Sequence, residues 1–151
     1  MTELQIPIKR LNSLALIPSY AHDGDAGVDL CSIEEVVLQP FGRALISTGI
    51  SLAIPKGYGG FVLPRSGLAI KNGISLVNSP GLIDSNYRGE IKLIAINLDP
   101  NNSFTVQVGD RIAQLVIMRV EEIDFLEHDQ LDDTQRGSGG FGSSGIKSSQ
   151  D

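Results

Sequence analysis

A chain of 151 residues in which 41% of the side chains are apolar fits one domain and is long enough to bury a sizeable core. Its formal charge of -6 lacks the basic footprint of a general nucleic-acid binder, and no apolar run approaches the roughly 20 residues of a membrane span, so neither partner is expected. One cysteine, Cys31, cannot form an internal disulfide, and the N-terminus shows no basic stretch followed by a long apolar run; the cytoplasm is the expected location.

The first chemically dense stretch runs from Ala21 to Leu30 and carries Asp23, Asp25 and Asp29. Asp23 and Asp25 read as exposed loop carboxylates. Short apolar runs follow, punctuated by many of the 17 glycines and seven prolines. Strands are expected at Arg43 to Ile50 and Gly60 to Leu63. Arg65-Ser66-Gly67 then opens a short helix, Ser66 to Asn72, which Gly73 ends. Free N–H groups and the dipole of a helix start, reinforced by a hydroxyl and a guanidinium, make an anion site. The plain alternative is an N-cap with a surface arginine.

Further strands at Ile74 to Val77 and Ile91 to Asn97 bound a turn-like decapeptide, Gly81 to Glu90. It packs a carboxylate, an aromatic ring, a guanidinium and two glycines into one connection, and connections on a rigid β scaffold often carry chemistry. Strands at Phe104 to Val108 and Ile112 to Val120 complete the set. Their spacing predicts an all-β sandwich or barrel with one short helix and no internal repeat.

Composition changes after Val120. Glu121 to Asp133 carries seven acidic residues and no Lys or Arg; a strand is expected to continue around Ile123 to Leu126 before the segment becomes a solvated linker. Gly137 to Gly145 is almost wholly Gly and Ser and cannot bury enough apolar surface to repay its ordering entropy. The chain therefore divides into a β-rich core, residues 1–133, and a flexible tail, residues 134–151.

Several side chains have a chemical use beside a plainer one. Asp84 can accept a proton from water and aim the water's lone pair at phosphorus, or close an Asx-turn. Tyr87 can wall a site or fill a core. The Asn78 amide can complement a pyrimidine edge or sit in a turn. A Gly/Ser string can cradle an anion through its N–H groups, with Arg136 adding charge and Phe141 a flat face for a base; it can also be only a tail. Two histidines and one cysteine, widely separated, offer no tetrahedral zinc set. Arg111 reads as an ion-pair partner for a local carboxylate.

Five stretches in order, Ala21 to Leu30, Pro64 to Ala69, Gly81 to Glu90, Gly109 to Leu115 and Arg136 to Gly145, resemble the five motifs of the trimeric dUTPases, the deoxyuridine triphosphate nucleotidohydrolases. The resemblance covers nearly the whole chain. It implies a jelly-roll-like subunit that uses Mg²⁺ to hydrolyse dUTP to dUMP and pyrophosphate, keeping uracil out of DNA and supplying dUMP for thymidylate synthesis. It implies a homotrimer whose active sites combine residues from different subunits. By the same resemblance, Asp84 orients the water that attacks the α-phosphorus, and Arg65, Ser66, Gly67 and Gln114 hold the phosphates. Asn78, Gly81 and the backbone of a tight hairpin from Leu82-Ile83 to about Lys92 bind uracil, and the hairpin excludes a 5-methyl group. Tyr87 packs on the deoxyribose and leaves no room for a 2′-hydroxyl. Asp29 touches the hydration shell of a metal that rides mainly on substrate phosphates. Arg136, Phe141, Gly142 and Ser143 close over the nucleotide. Leu82, where the family often has Thr, acts through its backbone, and Asn86 stands where Asp or Gly is frequent.

Three rivals are weighed. Ser66, His22 and Asp84 could form a hydrolytic triad, although nothing resembles a nucleophile elbow. A dCTP deaminase shares the fold but builds its catalytic motif differently. A regulatory protein that uses dUTP as a switch would keep Asn78 and Tyr87 yet need not keep Asp84.

Overall fold

The computed structural model describes residues 4–141. Among them lie eleven strands and one helix. The strands are β1 (Ile8–Arg10), β2 (Val28–Cys31), β3 (Val36–Leu38), β4 (Arg43–Ser47), β5 (Ile50–Leu52), β6 (Tyr58–Pro64), β7 (Ile74–Leu76), β8 (Gly81–Ile83), β9 (Lys92–Asn97), β10 (Phe104–Val106) and β11 (Arg111–Arg119), with α1 (Ser66–Asn72) between β6 and β7. Every described ladder is antiparallel. The sheets have the orders β2-β11-β6-β8, β4-β9-β7, β1-β5 and β3-β10, the jelly-roll-like, β-rich architecture that the sequence predicts.

Alternation explains which faces turn inward. In β9, Leu93, Ala95 and Asn97 are buried while the residues between them are not, the period of two that a half-buried strand requires. Leu93 and Ala95 form one core with Leu30, Leu38, Ile46, Ile74, Val106 and Ile112. Each fully buried Leu or Ile there contributes about 1.5–3 kcal/mol by leaving water. Asn97 is also buried; its amide donates to the carbonyls of Leu38 at 3.0 Å and Asn102 at 2.8 Å, and its Oδ1 accepts the Asp99 N–H at 2.9 Å, so both ends of the side chain are satisfied.

Some boundaries differ from the sequence reading. The run from Arg43 to Ile50 is two strands in different sheets, because Gly49 takes φ +69° and turns the chain between them. Ile123 to Leu126 forms no strand and lies exposed, since its apolar side chains meet no sheet of the same chain. Gly81–Ile83, read as turn, is strand β8. The expected hairpin from Leu82 to Lys92 is also absent: β8 pairs with β6, whereas β9 pairs with β4 and β7. The helix stands where the sequence puts it, and Gly73 ends it at φ +67° with its N–H on the Ala69 carbonyl.

Two hydrogen bonds and one bulge set the geometry of the loops and strand ends around the clefts. The Thr48 hydroxyl donates to the Ile91 carbonyl at 2.5 Å, and the Gly49 N–H donates to Glu90 Oε1 at 2.9 Å, so the β4–β5 turn holds the end of the 84–91 loop. In β11, two residues oppose one step of β2 between Arg111 and Ala113. That bulge lets Ile112 and Ala113 both face inward.

Candidate functional site

The candidate residues between Asp29 and Gln114 collect in two clefts that share no lining residue. The first, of about 520 Å³, lies where β2, β11 and the end of β6 meet the start of α1. Asp29, Arg65, Ser66, Gly67 and Gln114 line it, together with His22, Asp25 and Arg111. Asp29 faces Gln114 across the β2–β11 ladder. Its Oδ1 lies 3.1 Å from Arg65 Nε and its Oδ2 3.4 Å from Arg111. Arg65 also donates to the Arg111 carbonyl at 3.0 Å, and Gln114 Nε2 donates to the Pro64 carbonyl at 3.0 Å. The pairing expected of Arg111 is thus with Asp29.

Arg65 is the N-cap of α1, with no side chain capping the helix start. The plain serine N-cap is therefore not what the sequence builds: Ser66 is the first helical residue. The helix start therefore has no side-chain acceptor, and Arg65, Ser66 and Gly67 line the cleft, an arrangement that suits an anion. Gly67 has nothing within 4 Å of where a Cβ would stand, so packing in this chain does not require a glycine there. Gly27 is different, because a Cβ would come within 3.1 Å of Gln114 Oε1. Asp25 accepts the His22 N–H at 2.8 Å, whereas Asp23 is an exposed loop acid. Burial and the neighbouring Asp29 charge push the Cys31 thiol up, against Arg111 and Arg65, so it stays protonated rather than nucleophilic.

The second cleft, of about 420 Å³, opens where two sheets part. Val62 and Gly81–Ile83 belong to one sheet, and Leu45, Leu76, Lys92, Leu93 and Ile94 to the other. Asn78, Asp84, Tyr87 and Glu90 complete it. The apolar walls and one amide are what a planar base with polar edges needs. Gly81 sits in a tight place, since a Cβ would stand 3.3 Å from Val62 Cβ and 3.4 Å from Asn78 Nδ2 and the valine would have to give way slightly. The Asp84 carbonyl accepts the Tyr87 N–H at 3.1 Å. Its exposed carboxylate accepts no hydrogen bond among the described residues, so Asp84 does not close an Asx-turn. The Tyr87 hydroxyl donates to the Glu90 carbonyl at 2.9 Å, and Lys92 lies 3.4 Å from Glu90 Oε2.

Ser66 and His22 line one cleft and Asp84 the other, which removes the triad within a chain. Arg136 and Phe141 line neither. Arg136 donates to the Gly139 carbonyl at 2.9 Å, and Phe141 is fully exposed. Gly142 and Ser143 lie outside the described residues. Among the described residues no three His, Cys, Asp or Glu side chains gather as a metal cage, and no helix is long and apolar enough to cross a membrane. The sequence reading singled out His22 only as a triad member and did not single out Glu90, which lines the second cleft; an acid at the end of a turn carries no spacing signal of its own.

Comparison with known proteins gives a consistent result. A dUTPase family model matches residues 14–145. The deoxyuridine 5'-triphosphate nucleotidohydrolase of Nocardia farcinica is 56% identical over 140 residues, 93% of this chain and 85% of that protein. The protein of the same name from Alkaliphilus metalliredigens is 54% identical over 94% of this chain and 98% of its own length. Among solved structures, the dUTPase of Staphylococcus bacteriophage 80alpha with dUPNHPP superposes with a TM-score of 0.87 at 30% identity, covering 94% of this chain and 99% of that one. A variant dUTPase from phage phi11 of S. aureus, described with a structural Mg(II) ion, gives 0.78 at 26% identity over 84% of this chain and 98% of its own.

Proposed function

The chain belongs to the dUTPase family, and on that premise we propose that it hydrolyses dUTP to dUMP and pyrophosphate. One observation carries the reading: the same chain holds an apolar cleft whose Asp84 carboxylate has no partner among the described residues, and a separate cleft with two arginines and an uncapped helix start. The first suits a nucleoside and the second a triphosphate.

In this mechanism the Asn78 amide and the backbone of Gly81, Leu82 and Ile83 read the uracil edge, with Lys92 beside them. The Tyr87 ring packs on the deoxyribose. Arg65, Ser66, Gly67 and Gln114 hold the phosphates, and Arg136, Phe141, Gly142 and Ser143 close over the nucleotide. Asp84 takes a proton from water as the water oxygen bonds to the α-phosphorus; the bond from that phosphorus to the bridging oxygen breaks, and pyrophosphate leaves. Positioning and charge neutralisation supply most of the acceleration in such transfers.

Magnesium fits as a guest of the substrate rather than of a protein cage. Both Asp29 oxygens already face arginines, and no three-ligand cluster exists among the described residues. Mg²⁺ keeps several waters and takes phosphate oxygens, so Asp29 would touch it through water. Bound there, the ion would offset phosphate charge.

Because the two clefts share no residue, we propose a homotrimer in which each site joins the nucleoside cleft of one subunit to the phosphate cleft of another. The exposed apolar side chains Ile123, Phe125, Leu126 and Leu131 support a C-terminal arm that leaves its own subunit. The core is residues 1–133 and the tail residues 134–151. The compartment is the cytoplasm, where the reaction would limit uracil in DNA and supply dUMP for thymidylate synthesis.

The test is pyrophosphate release with Mg²⁺ from dUTP, dTTP, dCTP and UTP. Release from dUTP alone is expected. Ammonia from dCTP would indicate a deaminase, and tight dUTP binding without pyrophosphate a regulatory switch.

A further inference from the structure

We propose that Gly89 is a positioning residue for sugar selectivity: it leaves the space in which the Tyr87 ring lies back on its own loop with its hydroxyl bonded to the Glu90 carbonyl. The inference rests on the dUTP reading and deepens it, by naming what keeps the sugar-facing wall in place.

Tyr87 is 46% exposed, so burial in a core does not hold its ring. The loop does. The Tyr87 N–H reaches the Asp84 carbonyl, and the Arg88 guanidinium bridges the carbonyls of Ser85 at 2.7 Å and Tyr87 at 2.8 Å. The hydroxyl bond to the Glu90 carbonyl, at 2.9 Å, fixes the far end of the ring. That acceptor is itself anchored. Gly49 donates to Glu90 Oε1, Lys92 approaches Oε2, and the Ile91 N–H donates to the Ile50 carbonyl at 2.9 Å.

Gly89 stands inside this bend. A Cβ there would run into the Tyr87 hydroxyl and stand 2.6 Å from Cζ and 2.9 Å from Cε2. The requirement is one of space, since the Gly89 backbone is outside the left-handed region. Any larger residue must move the ring or the loop.

A steric wall rejects a 2′-hydroxyl only as far as the wall resists displacement. If the ring can swing aside at small free-energy cost, a ribonucleotide enters and selectivity falls by the corresponding factor. One neutral hydrogen bond to an anchored carbonyl changes such an equilibrium by roughly five- to tenfold.

The experiment compares kcat/KM for dUTP and UTP in the full chain, in Tyr87→Phe, in Gly89→Ala and in the double variant. Tyr87→Phe keeps the ring and removes its anchor; the dUTP-to-UTP ratio should fall roughly five- to tenfold. Gly89→Ala keeps the hydroxyl and displaces the ring, and its ratio should fall at least as far. The double variant should be no less selective than Gly89→Ala alone, because both changes act on one ring. A loss of folded enzyme lowers both substrates alike and leaves the ratio unchanged, so the ratio isolates positioning. Wild-type ratios in both single variants, or additive losses in the double one, would overturn the inference while leaving dUTP hydrolysis intact. A wild-type chain that releases no pyrophosphate from dUTP would instead remove the functional reading beneath it.

Discussion

The Arg111 guanidinium lies 3.4 Å from Asp29 Oδ2, although plain alternation would put Arg111 on the same face as the buried Ala113 and Leu115. The bulge between Arg111 and Ala113 reverses the face, so Arg111 joins Gln114 in the cleft at the start of α1. One carboxylate then orients two guanidiniums, and Arg65 spans both the carboxylate and the Arg111 carbonyl.

Arg65→Lys should expose that dependence. An ammonium cannot reproduce the fork that reaches Asp29 through Nε and the Arg111 carbonyl through a terminal nitrogen. The KM for dUTP should rise roughly tenfold or more, the loss expected for a charge-assisted bond. The pair is partly solvated, so thermal stability should fall by no more than about 1 kcal/mol. A normal KM would show that Arg65 serves the fold and not the ligand.

For Asp84→Asn we expect retained dUTP binding and turnover lower by at least ~10²-fold. The carboxylate accepts no hydrogen bond among the described residues, so the melting temperature should be nearly that of the wild type. Single-turnover pyrophosphate release separates the two effects. Near-normal turnover would sink the proposed role of Asp84.

Gly67→Ala gives an opposite sign for stability and function. Nothing lies within 4 Å of the added methyl in the free chain, and alanine suits a helix better than glycine. Stability should be unchanged or rise by up to about 1 kcal/mol. If phosphate oxygens approach the Gly67 backbone, kcat/KM for dUTP should drop about tenfold or more. Unaltered kinetics would leave that glycine without a part in substrate binding.

The helix and its end were legible because Gly73 is a strong local signal that tertiary packing did not override. The split of Arg43 to Ile50 was not, because Ile50-Ser51-Leu52 continues the apolar run past Gly49 and only the fold assigns it to another sheet. Strands of three residues such as Gly81–Ile83 are too short to show a period. The Ile112 bulge left no mark, since an inward pair of apolar residues reads like any buried run. The resemblance assigned Asn78 and Tyr87 to the nucleoside, Arg65, Ser66 and Gln114 to the phosphates, and Asp84 to the water at the α-phosphorus. It carried no distances, so the separation of the two groups within a chain became visible only from the clefts.

That separation gives the strongest test of assembly. If each site takes Asp84 from one subunit and Arg65 from another, Asp84→Asn and Arg65→Ala damage different halves of the same site. Each variant alone should be nearly inactive. Unfolding the two together in equal amounts and refolding them gives mixed oligomers, in which about one quarter of the sites combine both native halves. Turnover should recover to roughly that fraction of the wild type, and only when the chains have exchanged. Mixing without unfolding is the control, since intact oligomers that exchange slowly should stay inactive. Native mass spectrometry establishes that mixed species are present. Mixed oligomers without recovered turnover would mean that the two clefts do not complete one another across subunits.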